Sequence, residues 1–105
     1  INLTGNAAIS KQKSGIVLVF SAYKDGKALD SDFSCHFIPK LLVNTQNEKL
    51  HTFIMSTAYC GWIATKTLNI SDIAIKGTEY NVGSETNSGI TCQNSRFVLR
   101  YIIGV

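Results

Sequence analysis

The chain has 105 residues, a length that suits one domain, residues 1–105, built around one hydrophobic core. Charged residues make up 16% of it, against roughly 25% in an average soluble domain, and the net charge is +3. The basic residues are scattered, which argues against nucleic-acid binding. The longest apolar run, residues 16–20, is too short to cross a bilayer and no signal peptide is visible, so the sequence predicts no membrane insertion. Because the chain begins without methionine, we expect it to be the C-terminal domain of a longer protein, ending at Val105.

Apolar and polar residues alternate with a period of two through much of the chain, which predicts β-strands. Residues 15–23, GIVLVFSAY, are apolar on both faces and rich in β-branched side chains, as in a central strand. Asp25 and Gly26 then predict a tight turn, because glycine adopts a positive φ without steric cost. Residues 32–40, DFSCHFIPK, form the next predicted strand. It is expected to end at Pro39, because proline has no backbone N–H to donate to a neighbouring strand. Its alternation separates Phe33, Cys35 and Phe37 on one face from Ser34, His36 and Ile38 on the other.

The second half of the chain alternates less cleanly. Residues 49–56 and 59–68 are predicted as two irregular strands, and the alternation becomes regular over residues 67–71. A change of parity at residues 71–72 predicts a bulge or a corner. Residues 83–89, GSETNSG, are predicted to form a flexible surface loop.

The last predicted strand starts at Arg96 and is apolar on both sides. Its alternation sets Phe97, Leu99, Tyr101 and Ile103 against Val98, Arg100 and Ile102. Arg100 is expected to reach a carboxylate or carbonyl groups at an interface. About eight short strands without a helical period predict an all-β fold, an antiparallel β-sandwich or jelly-roll-like barrel.

Four segments in this order carry a resemblance to a known family: GIVLVFSAY (15–23), FIPK (37–40), KTLNISDIAIKG (66–77) and RFVLRYIIGV (96–105). They resemble strand signatures of the C-terminal, receptor-binding head domain of tail fibre or baseplate proteins from phages and prophages of Gram-positive bacteria. The chain departs from that pattern where Ile16 and Phe20 replace tryptophans that are frequent in the family, and in the Thr-Glu-Tyr that follows Gly77.

The resemblance implies a β-sandwich head at the tip of a phage tail. It further implies a homotrimer that contacts the host cell wall, and a virion protein that folds in the host cytoplasm before release. A closing strand that is apolar on both faces would then be covered by its own sheet on one side and by a neighbouring subunit on the other.

Three cysteines, Cys35, Cys60 and Cys92, cannot all pair within one chain, and their spacing matches no zinc or redox motif. At most one disulfide can form, and we expect three reduced, mostly buried thiols instead. Neighbouring Cys35 and His36 point to opposite faces of a strand, which argues against a shared metal ion, so no metal or other cofactor is predicted.

A saccharide site needs an aromatic platform and converging polar groups. Trp62 and Tyr59 flank a glycine and are candidates for the platform, although a single tryptophan more often packs in a core or an interface. His36 and Asp32 are candidate polar contacts, with a half-buried strand histidine as the alternative for His36. Two further candidates are Tyr80, in the loop after Gly77, and Arg96, which could clamp a phosphate or could be an ordinary charge at a strand end.

Catalytic motifs such as a nucleophile elbow or a phosphate loop do not occur, and Asp30 with Asp32 beside a turn is ordinary turn chemistry, so no enzyme activity is predicted. The leading hypothesis is an adhesion domain for a host cell-wall glycan or a teichoic-acid-type polymer. The alternatives are a structural domain that trimerises or caps a tail fibre, and a carbohydrate-binding module of a secreted protein.

Overall fold

The computed structural model describes residues 1–43 and 47–105, with Cys60 described by its backbone alone. Within these residues the fold is all-β, and every strand pair is antiparallel. The strands are β1 (Gly15–Lys24), β2 (Lys27–Ala28), β3 (Ser34–Pro39), β4 (Lys49–Ser56), β5 (Ile63–Ile70), β6 (Ile75–Gly77), β7 (Ser84–Asn87), β8 (Ile90–Gln93) and β9 (Phe97–Gly104). Short 3₁₀ helices cover Gly5–Ala7, Ile9–Lys11, Lys40–Leu42, Ala58–Cys60, Glu79–Val82 and Asn94–Arg96.

Strand β1 is the centre of the largest sheet, as its apolar sequence predicts. Strand β9 pairs with residues 16–22 of β1. Strand β3 pairs with residues 15–20 of β1, and β2 pairs with residues 23–24. The predicted turn after β1 is confirmed, because Asp25 and Gly26 have φ values of 53° and 77° and join β1 to β2. Pro39 is the last residue of β3, which confirms where that strand ends.

A second sheet has the order β4-β5-β6. The predicted corner is confirmed, since β5 ends at Ile70 and the N–H of Ser71 donates to the carbonyl of Ala74 at 2.9 Å before β6 begins. Asp72 lies in this corner and is buried, and it accepts hydrogen bonds from the backbone N–H and the hydroxyl of Ser10 at 2.6 and 2.9 Å. The N-terminal segment is thereby attached to the second sheet.

The prediction of a flexible loop at residues 83–89 is wrong. Residues 84–87 form β7, which pairs with β8 in a two-stranded hairpin on the surface. Ser88 and Gly89 both have positive φ, 53° and 81°, the geometry of a two-residue hairpin turn. The polar sequence concealed β7 because all four of its residues are exposed, so it has no apolar alternation to reveal it.

One hydrophobic cluster joins the two larger sheets. From the first sheet it takes Ile16, Leu18, Phe20, Ile38 and Phe97, and from the second Phe53, Met55, Ala64, Leu68, Ile70 and Ile75. In β3 the residues that face this cluster are the mixed set Ser34, His36 and Ile38, whereas Phe33, Cys35 and Phe37 are exposed. The prediction of mostly buried thiols is therefore wrong for Cys35.

The strict alternation predicted for β9 is wrong because the strand contains a β-bulge. Val19 pairs with Tyr101 and Phe20 with Leu99, so Arg100 has no partner in β1 and the side chains on its two sides change face. As a result Ile102 packs on the core, and Tyr101 and Ile103 point outward with exposed fractions of 53% and 47%.

Arg100 finds its partners inside its own chain. Its guanidinium donates to the hydroxyl of Ser21 and the carbonyl of Leu29, both at 3.1 Å, and to the carboxylate of Asp30 at 3.2 Å. The expected carbonyl and carboxylate partners are present, but they hold the loop after β2 and are not interface contacts.

Two asparagines cover a part of β5 along which the described residues form no strand pair on the side opposite β4. Asn94 is 2% exposed; its Oδ1 accepts the N–H of Thr65 at 2.8 Å and its Nδ2 donates to the carbonyl of Tyr80 at 2.8 Å. Asn81 binds both backbone groups of one residue: its Oδ1 accepts the N–H of Thr67 at 2.7 Å, and its Nδ2 donates to the carbonyl of Thr67 at 2.8 Å. These side chains take the place of a strand partner and attach the 3₁₀ helices Glu79–Val82 and Asn94–Arg96 to the second sheet.

Candidate functional site

The turn between β4 and β5 places an aromatic side chain in solvent. Thr57 closes the turn, since its backbone N–H donates to the carbonyl of Trp62 at 2.9 Å and its hydroxyl accepts the N–H of Trp62 at 2.8 Å. At its apex Tyr59 has φ 60° and is fully exposed. The strand predicted from Tyr59 therefore begins four residues later, at Ile63. An exposed tyrosine held in a left-handed conformation is uncommon outside sites where a turn presents it.

Asp32 supports this turn. It has φ 55°, and its carboxylate accepts the N–H of Ala58 at 3.0 Å. Asp30, the other carboxylate assigned to turn chemistry, binds Arg100. The two carboxylates thus have separate structural partners, and Asp32 acts by positioning the turn that carries Tyr59.

Trp62 brings two cations together. The guanidinium carbon of Arg96 lies 4.5 Å from the centre of the indole ring, and the ammonium of Lys24 lies 5.8 Å from it. Arg96 is further oriented by Gln93, whose side-chain oxygen accepts from its Nε at 3.2 Å. Neither cation forms a salt bridge with the rest of the described chain. Positive charge that is held on an aromatic face without a carboxylate is suited to an external anion.

His36 lies away from this group of residues. Its Nε2 is 2.7 Å from the hydroxyl of Ser34, and its ring contacts Phe20 and Phe53 with centroids 5.8 and 5.0 Å apart. Burial lowers the pKa of His36 below its usual value, which favours the neutral ring. This is the half-buried strand histidine that the sequence offered as the alternative.

Tyr80 lies in the 3₁₀ helix Glu79–Val82 and is 54% exposed. Its carbonyl is bound by Asn94, so its backbone is anchored close to the helix that carries Arg96. The structure thus connects the backbone of Tyr80 to the helix Asn94–Arg96 and leaves its side chain largely in solvent.

Sequence reasoning did not single out Lys24 or Lys66. Lys24 ends β1 beside a turn and looks like an ordinary solvated charge, so no local pattern marks it. Lys66 could have been found, because it shares the parity of the inward residues Leu68 and Ile70.

Among residues 1–43 and 47–105, apart from the Cys60 side chain, no three His, Cys, Asp or Glu side chains gather as a metal site would require. In the same residues no helix has the length and apolar character needed to cross a bilayer. The chain matches no protein-family model, no curated protein and no solved structure.

Proposed function

We propose that this chain is a non-enzymatic adhesion domain, the receptor-binding head of a phage tail protein, which recognises an anionic polymer of the host cell wall. The observation that carries the proposal is the pair of cations, Arg96 and Lys24, on the Trp62 ring. Together with Tyr59, which the turn preceding Trp62 exposes, we call these residues the cationic aromatic cluster. It combines an exposed aromatic ring with two cations that lack a carboxylate partner in the described chain.

In this proposal Trp62 and Tyr59 have different roles, and Trp62 is not the ring on which the sugar stacks. Arg96 already occupies a face of the Trp62 ring, so the ring acts mainly as a seat for the two cations. Tyr59, which is fully exposed, is the surface on which a sugar ring stacks. A phosphate or carboxylate of the polymer then lies between Lys24 and Arg96. Teichoic-acid-type polymers, which alternate polyol or sugar units with phosphates, have both features.

The proposal includes an assembly of three copies and a sandwich architecture for each copy. Outside the core, the first sheet presents two rows of neighbouring residues, Phe37-Val17-Ile103 and Cys35-Val19-Tyr101, which we call the outer apolar face. Its large side chains are about half exposed, at 51% for Phe37 and 53% for Tyr101. Contact between copies through this face removes it from water, and three weak glycan sites then act together on one wall. In this proposal the domain belongs to the virion.

Binding to the wall is tested at Tyr59, which is fully exposed and can be changed without loss of packing. We expect the wild-type domain to sediment with purified host cell walls, and Tyr59→Ala to weaken this binding about tenfold, equivalent to about 1.4 kcal/mol. Tyr80→Ala is the matched control, an exposed tyrosine whose side chain is not part of the cluster. Wild-type protein that ignores host walls, or equal binding by the Tyr59 and Tyr80 variants, contradicts the proposal.

Assembly is tested with two isoleucines that are exposed on different sheets. Light scattering should give the wild type a mass three times the 11.5 kDa of one chain. Ile103→Glu, on the outer apolar face, should dissociate it, because three buried carboxylates would lack partners. Ile54→Glu, on β4 and 70% exposed, should leave the trimer intact. A monomeric wild type, or the same effect from both substitutions, refutes assembly through this face.

The outer apolar face also favours a second candidate function, a structural domain that trimerises or caps a tail fibre while another domain reads the receptor. That function needs the face and not the cationic aromatic cluster. It predicts a trimer that fails to bind host walls, so the two measurements together separate the candidates.

A further inference from the structure

Strand β5 directs a lysine towards the protein interior. Its inward positions are Ala64, Lys66, Leu68 and Ile70, all of them buried, and Lys66 is only 7% exposed. The ammonium donates one hydrogen bond, to the carbonyl of Asn81 at 2.8 Å. A buried ammonium has three donors, so this single bond leaves capacity for an additional acceptor.

The charge of Lys66 has no counter-ion among the described residues. Burial away from water lowers its pKa from 10.5 to about 8, so the group is still mostly cationic at neutral pH. Buried charges in proteins are normally paired, because loss of hydration is costly without a partner of opposite sign. Lys66 is an exception that calls for an anion from outside the chain.

A cavity of about 260 Å³ adjoins this lysine. Its lining includes Lys66, Asn81, Tyr23, Phe97, Val82 and Ser95, with no carboxylate among the lining residues. Val82 and Ser95 are also exposed at the surface, so the cavity opens to solvent. Its walls are mainly carbon, apart from the amine and a few neutral polar groups. The volume lies just below the roughly 300–1,000 Å³ of pockets for drug-sized ligands, so the cavity suits a smaller occupant.

We propose that this cavity is a binding site for a small organic carboxylate. The carboxylate accepts a hydrogen bond from Nζ of Lys66, and a short apolar tail packs against Phe97 and Val82. The ligand supplies the missing counter-charge, and the carbon walls favour a tail over a bare ion. The site does not depend on the proposed wall recognition, because neither Tyr59 nor Trp62 lines it.

Nuclear magnetic resonance of the full chain, titrated with butyrate, tests the proposal. We expect saturable changes in the signals of the Lys66 side chain and a bound-state pKa that is higher by roughly 1 to 3 than in the free protein. Butanol, which has the tail without the charge, should bind at least tenfold more weakly, and so should inorganic phosphate, which has charge without a tail. No saturable change with butyrate, or equal affinity for either control compound, overturns the proposal.

A pair of lysine variants provides the second test. Lys66→Met should abolish the rise of the melting temperature with butyrate, whereas Lys76→Met, at an exposed lysine paired with Glu48, should retain it. If Lys66→Met does not fold, the titration of the wild type decides. A melting temperature that responds to butyrate equally in both variants refutes the assignment to Lys66.

Discussion

Alanine in place of Gly15 should cost this protein much of its stability. Gly15 begins β1 with φ 154°, and a Cβ there would collide with the backbone carbonyl of Ile38 on β3. The same glycine exchanges hydrogen bonds with Val105, N–H to carbonyl at 3.2 Å and carbonyl to N–H at 3.0 Å. Because the obstructing atoms belong to the backbone, no rotamer change can relieve the clash, and β1 must move away from β3.

We expect Gly15→Ala to lower the free energy of unfolding by roughly 3 kcal/mol or more. A domain of this length has a total of about 5–15 kcal/mol, so the change is large. Urea denaturation followed by circular dichroism measures it. Gly83→Ala is the matched control, since Gly83 has φ −102° and open space around its Cβ position within the described structure; it should change stability by less than about 0.5 kcal/mol. Similar midpoints for the two variants would show that the strand junction at Gly15 tolerates a side chain.

The second large effect is expected at Asn94, whose amide replaces a strand partner along β5. Truncation to alanine leaves two buried backbone groups, the N–H of Thr65 and the carbonyl of Tyr80, without their present partner. Each unsatisfied group costs about 1–3 kcal/mol, so Asn94→Ala should destabilise the protein by about 3 kcal/mol. The comparison is Asn69→Ala. Asn69 lies on β5 itself, is partly exposed and makes no side-chain hydrogen bond within the described structure, so its truncation should have little effect.

Asn94 also bears on the proposed binding site, because it begins the 3₁₀ helix that contains Arg96. We expect Asn94→Ala to weaken wall binding even at temperatures where the protein is folded, since the guanidinium loses its fixed position over Trp62. Equal stability of the Asn94 and Asn69 variants would mean that water replaces the asparagine amide at the strand edge.

The candidate binding site was only partly visible in the sequence. Trp62, Tyr59 and Arg96 could be chosen by residue type, because aromatic rings and guanidinium groups are the usual contacts of charged glycans. Their proximity could not be read, since Arg96 lies 34 positions from Trp62 along the chain and reaches it only after β9 pairs with β1. His36 and Asp32 were chosen on the same grounds, but the first faces the core and the second supports a turn.

The sequence alone determined much of the architecture. It specified the turn after β1 through a glycine, the end of β3 through a proline, and the central position of β1 through apolar residues on both faces. Each of these signals acts over a few neighbouring positions in the chain. The tertiary structure alone decided the bulge at Arg100, the exposure of Cys35 and the inward direction of Lys66. These features depend on which strand lies opposite and how the two sheets share their core. Pairing between residues far apart in the chain depends on the packing of the whole domain. A pattern of period two indicates which residues share a face of a strand, but it does not identify the strand that lies opposite.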